Sequence, residues 1–129
     1  MHKLLRNISV LLFLFILTFT TGCDNVSTTA VMKDVSTQEA LEVWRSKQAD
    51  FIDVRTNDEY TQGHIPGAKL IPLDELAGRI TEIPKDTKIM LICRSGNRST
   101  TAAKVLLSNG YTNIYNVSGG MLAWKGPTE

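Results

Sequence analysis

The sequence predicts an α/β domain: three layers, with helices on both faces of a five-stranded, mostly parallel sheet. Three observations point to it. Short apolar runs alternate with helical patterns from residue 31 almost to the end. One run, Ile89-Met90-Leu91-Ile92, is unbroken, as in a strand buried on both faces of a parallel sheet. Helix start and stop signals separate the runs, beginning with Ser36-Thr37-Gln38-Glu39, a capping box with Ser36 as N-cap and Glu39 three residues on.

The elements follow in order. Val31 to Val35 makes a first strand. Ala40, Leu41, Val43 and Trp44 give the following helix an apolar stripe as far as about Lys47. Phe51 to Val54 is the second strand, and Asn57 to Gln62 a short polar helix closed by Gly63. Ala68 to Ile71 is the third strand, ended by Pro72, and Leu73 to Ile80 a small helix. Lys88 to Ile92 is the fourth strand. Ser99 to Ser108 is a helix with Ala102, Ala103, Leu106 and Leu107 on one side and Gly110 as its stop. Asn113 to Val117 is the fifth strand, and Gly119-Gly120 opens a last short helix carrying Trp124. Trp44 and Trp124 are expected in the core. There is no internal repeat.

The first 22 residues stand apart. Lys3 and Arg6 precede Ile8 to Phe19, in which only Ser9 and Thr18 are not apolar, and Thr20, Thr21 and Gly22 lead into Cys23. Basic, then apolar, then small is the layout of a secretory signal, and the apolar run is short for a membrane span, which needs about 20 residues. An uncleaved anchor is the weaker alternative. The Thr-Thr-Gly-Cys ending resembles a bacterial lipoprotein signal, although Thr20 stands where that pattern more often has Leu. The resemblance implies that Cys23 is lipidated and that the domain is held outside the cytoplasm on a membrane. The expected organisation is a signal over 1–22, a tether over 23–30 and one domain over 31–127.

Composition excludes several classes. At 129 residues the chain has room for one domain. A hydrophobic fraction of 43% with 21% charged residues is that of a globular protein. A net charge of +1 recommends no nucleic-acid partner. Two Cys exclude a disulfide-rich scaffold and a Cys₄ metal centre. Removing Lys3 and Arg6 with the leader takes the 14 basic residues to 12 against 13 acidic ones, a net of −1. If Cys23 is acylated, Cys93 is the one thiol left, and an exported domain usually avoids an unpaired thiol unless its reactivity is wanted.

The chemistry concentrates in Cys93-Arg94-Ser95-Gly96-Asn97-Arg98-Ser99, between the most apolar strand and a helix. Gly96 permits backbone angles that turn the loop amides inward, and the helix start adds partial positive charge. Arg94 and Arg98 bring two permanent cations. Together these favour a thiolate, in settings that lower a Cys pKa from about 8.5 to roughly 3.5–7.5. The sequence therefore places a nucleophile in an anion cradle with no His and no metal required. A buried, inert Cys beside two solvated Arg is the plainer reading, but it gives no reason for Gly and two Arg within five residues.

This loop resembles the active loop of a single-domain rhodanese. Asp53-Val54-Arg55, Glu59-Tyr60 and Gly63-His64-Ile65-Pro66-Gly67-Ala68 resemble that family's upstream signature, and Asn116-Val117-Ser118-Gly119-Gly120-Met121-Leu122-Ala123-Trp124 its terminal one. The likeness runs from Val31 to Lys125. It implies a rhodanese-like domain and sulfur transfer without a cofactor. A donor such as thiosulfate loads a sulfane sulfur onto Cys93 as a persulfide, and cyanide or a thiol removes it. The amides of Arg94 to Arg98, including those of Ser95, Gly96 and Asn97, would hold the terminal sulfur. Arg98, and secondarily Arg94, would hold the anionic end of the donor. Asp53 and Arg55 are implied to be scaffold, with Arg55 near Glu59. His64 is expected in a hydrogen-bonded structural role, since a thiolate needs no base.

Two other classes remain open. Cell-cycle dual-specificity phosphatases share the fold and a Cys-to-Arg loop, but with five intervening residues against the four here, Arg94 to Asn97. The smaller loop suits one sulfur better than a tetrahedral phosphate or arsenate. A non-catalytic binding module would not need Cys93 and both Arg, whereas a persulfide carrier without turnover would use the same residues. Nothing in the sequence speaks to oligomeric state.

Overall fold

The computed structural model describes residues 29–129. The expected signal, Cys23 and most of the tether lie outside the described residues. Five strands form one sheet: β1 (Lys33–Val35), β2 (Asp50–Asp53), β3 (Lys69–Leu70), β4 (Ile89–Ile92) and β5 (Ile114–Val117). Their order is β1-β5-β4-β2-β3, and every pairing is parallel. The expectation of a mostly parallel sheet is thus met in full. The helices are α1 (Thr37–Arg45), α2 (Asn57–Thr61), α3 (Leu76–Arg79), α4 (Asn97–Ser108) and α5 (Gly120–Ala123).

β4 is central and all four of its residues are buried, as its unbroken apolar run requires. Its alternation divides the core between the two faces. Ile89, Leu91 and Cys93 pack with Ala102, Ala103 and Leu106 of α4 and with Leu76 of α3. Met90 and Ile92 pack on the other face with Ala40 and Leu41 of α1, Phe51, Val117 and Trp124. Two apolar clusters on opposite faces are what make three layers.

Several boundaries differ from the sequence reading. Ser36 caps α1 by accepting from the Glu39 amide at 3.1 Å without a return bond from the Glu39 side chain, whereas Thr56 and Glu59 form a reciprocal capping box at the start of α2. The helix expected over Leu73 to Ile80 begins at Leu76 and runs into a 3₁₀ turn over Ile80–Glu82. Residues 73–75 form turns instead, because the Leu73 amide bonds Val54 O at 3.2 Å and the Glu75 amide bonds Pro72 O at 2.9 Å. β3 keeps only two of its four expected residues. Trp124 is buried, edge-on to Phe51. Trp44 is half-buried instead, donating Nε1–H to Pro66 O at 2.9 Å. It lines a concavity of about 580 Å³ near the amino ends of β2 and β3, and no residue of the Cys93 loop reaches it.

Candidate active site

Cys93 follows β4 directly and lies on the face covered by α4. It is 1% exposed. Gly96 then takes φ +107°, a left-handed conformation that L side chains rarely adopt. That turn brings the Gly96 N–H back onto Cys93 Sγ at 3.0 Å. α4 starts immediately, at Asn97, two residues before the expected Ser99. Ser99 is thereby buried in the first turn, with its hydroxyl oxygen 3.3 Å from Sγ.

The loop is held from outside by α5. The Met121 amide donates to Cys93 O at 2.8 Å and the Leu122 amide to Arg94 O at 3.0 Å. With its carbonyls engaged there, the loop leaves its own amides for the sulfur. So close an approach requires glycine at the start of α5. A Cβ on Gly120 would overlap Cys93 O and come within 2.5 Å of Arg94 O. Gly120 also has φ +55°.

Burial pushes the Cys93 thiol up. The Ser99 hydroxyl and the amides of Ser99, Gly96 and Ser95 pull it down, and the balance falls below the ordinary thiol value. The arrangement therefore favours a desolvated sulfur anion, the state needed for nucleophilic attack.

The remaining loop residues divide. Arg94, Ser95 and Asn97 are exposed. Arg94 forms no ion pair among the described residues and lines a depression of about 320 Å³ with Arg55, Glu59, Gly63, Met121 and Leu122. Arg98, expected to be the principal anion clamp, is engaged elsewhere. Its guanidinium makes a two-pronged pair with Glu59, at 2.7 and 2.6 Å. That pair holds the Glu59 carboxyl down at about 2, with a further pull from the Thr56 amide and hydroxyl against partial burial. Arg98 thus ties α4 to α2, and of the two loop arginines Arg94 is left available to a ligand.

The upstream signature is scaffold, though its pairing differs from the expected one. Arg55 bonds both carboxylate oxygens of Asp53 and reaches Gly63 O at 2.9 Å, rather than pairing with Glu59. Asp53 is 0% and Arg55 6% exposed. His64 stacks on Tyr60 with ring centroids 3.6 Å apart, and its Nδ1 lies 3.0 Å from Tyr60 O. Its role is packing and hydrogen bonding, as expected. Sequence reasoning left Ser99, Gly120 and Asn116 without roles. Ser99 stands six residues after the Cys, which only the early start of α4 turns towards the sulfur.

Sequence comparison agrees with this geometry. The family profile described as "Rhodanese-like domain" matches residues 36–127. The chain belongs to the rhodanese family. A rhodanese-like domain protein from Staphylococcus aureus superposes with a TM-score of 0.70 at 36% identity, covering 76% of this chain and 97% of that one. Among curated relatives, the uncharacterized protein YqhL of Bacillus subtilis is 42% identical over 74% of this chain and 75% of its own length. A protein named sulfurtransferase from Allochromatium vinosum is 42% identical over 57% of this chain and 68% of its own. The putative sulfurtransferase YtwF of Bacillus subtilis is 35% identical over 76% and 95%.

Proposed function

We propose that this rhodanese domain is a sulfurtransferase that works through a Cys93 persulfide, with thiosulfate or a similar sulfane donor as its substrate. The observation that carries this reading is a buried sulfur, tilted towards the thiolate, at the centre of inward-facing amides. The Cys93 thiolate attacks the outer sulfur of the donor. The donor's S–S bond breaks as the new one forms, and sulfite leaves with the electron pair. The product is Cys93–S–S⁻, whose terminal charge takes the place of the thiolate charge before the loop amides. Cyanide or a thiolate then attacks the outer sulfur, giving thiocyanate or a new persulfide and returning Cys93 as thiolate. Arg94, exposed and next to Cys93 in the chain, meets the anionic end of the donor.

A persulfide carrier is the second reading, favoured by the burial of the sulfur, which restricts which acceptors reach it. Turnover separates the two. The full-length protein is treated with thiosulfate, and the Cys93 peptide is weighed before and after cyanide. Sulfurtransferase action predicts one added sulfur at Cys93, its loss to cyanide and repeated thiocyanate release. Cys93→Ser should abolish all three. No sulfur uptake, or faster turnover of phosphate esters, would refute the reading. Loading released only to a protein thiol, without turnover on cyanide, would make the domain a carrier. We further propose, from the signal sequence alone, that lipid on Cys23 holds the domain at a membrane outside the cytoplasm. Cys23→Ala should then release it into the soluble fraction, and persistence in the membrane fraction would contradict that.

A further inference from the structure

The Ser99 hydroxyl has one proton and three acceptors around it. Asn116 Oδ1 lies 2.5 Å from Ser99 Oγ, Gly96 O 3.1 Å and Cys93 Sγ 3.3 Å. The orientation of the Asn116 amide is fixed by its other neighbours. Its nitrogen faces the Asp34 carboxylate at 2.7 Å and Thr100 Oγ1 at 3.1 Å. A carboxylate only accepts, so the amide nitrogen must lie on that side. Thr100 spends its own proton on Gly96 O at 2.8 Å, so it too receives from Asn116. The Asn116 oxygen that faces Ser99 therefore only accepts. While Cys93 is a thiol, Ser99 donates to Asn116 and the S–H donates to Ser99.

Ionisation of Cys93 changes the demand. The thiolate needs a donor, and the Ser99 proton is the side-chain proton within reach. Turning it to the sulfur strips Asn116 Oδ1 of its donor, and Asn116 is 4% exposed, so no water compensates freely. We propose that Asn116, anchored by Asp34, is a positioning residue that competes with the Cys93 sulfur for the Ser99 proton and so sets how readily Cys93 ionises. The competition acts on the free thiolate. Once a sulfur is loaded, the charge sits on the outer atom before the amides, and Ser99 returns its proton to Asn116. The relay thus favours the loaded enzyme over the free thiolate and keeps the nucleophile from being over-stabilised.

The proposal rests on Cys93 being the nucleophile, as argued above. The cation whose field reaches the sulfur is Arg98 on α4, which is itself paired with Glu59 of α2. Arg94 is next in the chain and exposed, and Asp53 at the end of β2 is paired with Arg55. α5 brings Met121 and Leu122 and no charge. Asp34 on β1 reaches the site through its hydrogen bond from Asn116.

The test is the pH dependence of Cys93 alkylation by iodoacetamide, read on the Cys93 peptide of the full-length protein. Asn116→Leu and Asp34→Ala are compared with and without Ser99→Ala. Salt at 1 M screens the direct field of the exposed Asp34. Asn116→Leu should move the inflection towards acid by roughly half to one pH unit, or about three- to tenfold more thiolate at a fixed pH below it. Asp34→Ala should move it the same way by less. In the Ser99→Ala background neither should move it. Shifts of equal size in both backgrounds, no shift, or a shift towards alkali would overturn the proposal. If Asn116→Leu does not fold, Asp34→Ala decides alone, since Asp34 is exposed on an edge strand. Sulfur uptake by the unmodified protein is measured alongside. Its absence defeats the sulfurtransferase reading, while the alkylation profiles still judge the relay.

Discussion

Two buried polar clusters stand beside the carboxyl ends of neighbouring strands, one after β2 and one after β4. In the Asp53–Arg55 cluster each carboxylate oxygen has its own guanidinium N–H, from Nε and from Nη2, and the second N–H of Nη2 goes to Gly63 O. In the Cys93–Ser99–Asn116 cluster three acceptors surround a single hydroxyl proton. The first has one arrangement and serves as a fixed post for the turn at Gly63. The second has two, and the choice between them follows the charge on the sulfur. Burial raises the stakes for both, but only a cluster with an unsettled proton can respond to chemistry.

That contrast can be broken in order of expected effect. Arg55→Met should leave the Asp53 carboxylate buried and unpaired, lowering stability by about 3–5 kcal/mol in denaturant unfolding. A loss under about 1 kcal/mol would mean the cluster is not a fixed post. Gly120→Ala should push the Cys93 and Arg94 carbonyls outward, misaligning the amides. Sulfur loading should slow by about 10²-fold in a stopped reaction read by mass. Arg94→Ala should raise the thiosulfate concentration for half-maximal loading roughly tenfold, the worth of one exposed charge-assisted contact. Its unfolding midpoint should not move.

The smallest effect is that of Glu59→Gln. Glu59 is held at about 2 in the folded chain against 4.5 unpaired. Its depressed value stabilises the fold fully above pH 4.5, and that contribution fades as pH falls towards 2. The Glu59 and Arg98 side chains are 28% and 34% exposed, which discounts the pair to about 1 kcal/mol. The variant should be less stable by that amount near neutrality, and its acid-unfolding curve should converge with that of the unmodified protein between pH 4.5 and 2.

What the sequence made legible was local. Ile89 to Ile92 announced a central strand because every side chain there is apolar. Cys93 and Gly96 suggested a reactive sulfur in a tight turn because a thiol at the end of an apolar strand is followed within three residues by the residue most at ease at positive φ. The partner of Arg98 was not legible, since Glu59 lies 39 residues away and depends on how α2 packs beside α4. The Thr56–Glu59 capping box has the same spacing as Ser36–Glu39, so spacing alone does not tell which of the two closes reciprocally. Asn116 needed the strand order. Only with β1 beside β5 do Asp34 and Asn116 come into register, and only the strand parity turns Asn116 towards α4.

The most direct measurement is the rate of Cys93 alkylation in the unmodified protein across acid and neutral pH, set against free cysteine. A sulfur held by inward amides predicts an inflection clearly below that of free cysteine, near 8.5. An inflection at or above it would contradict the site as described.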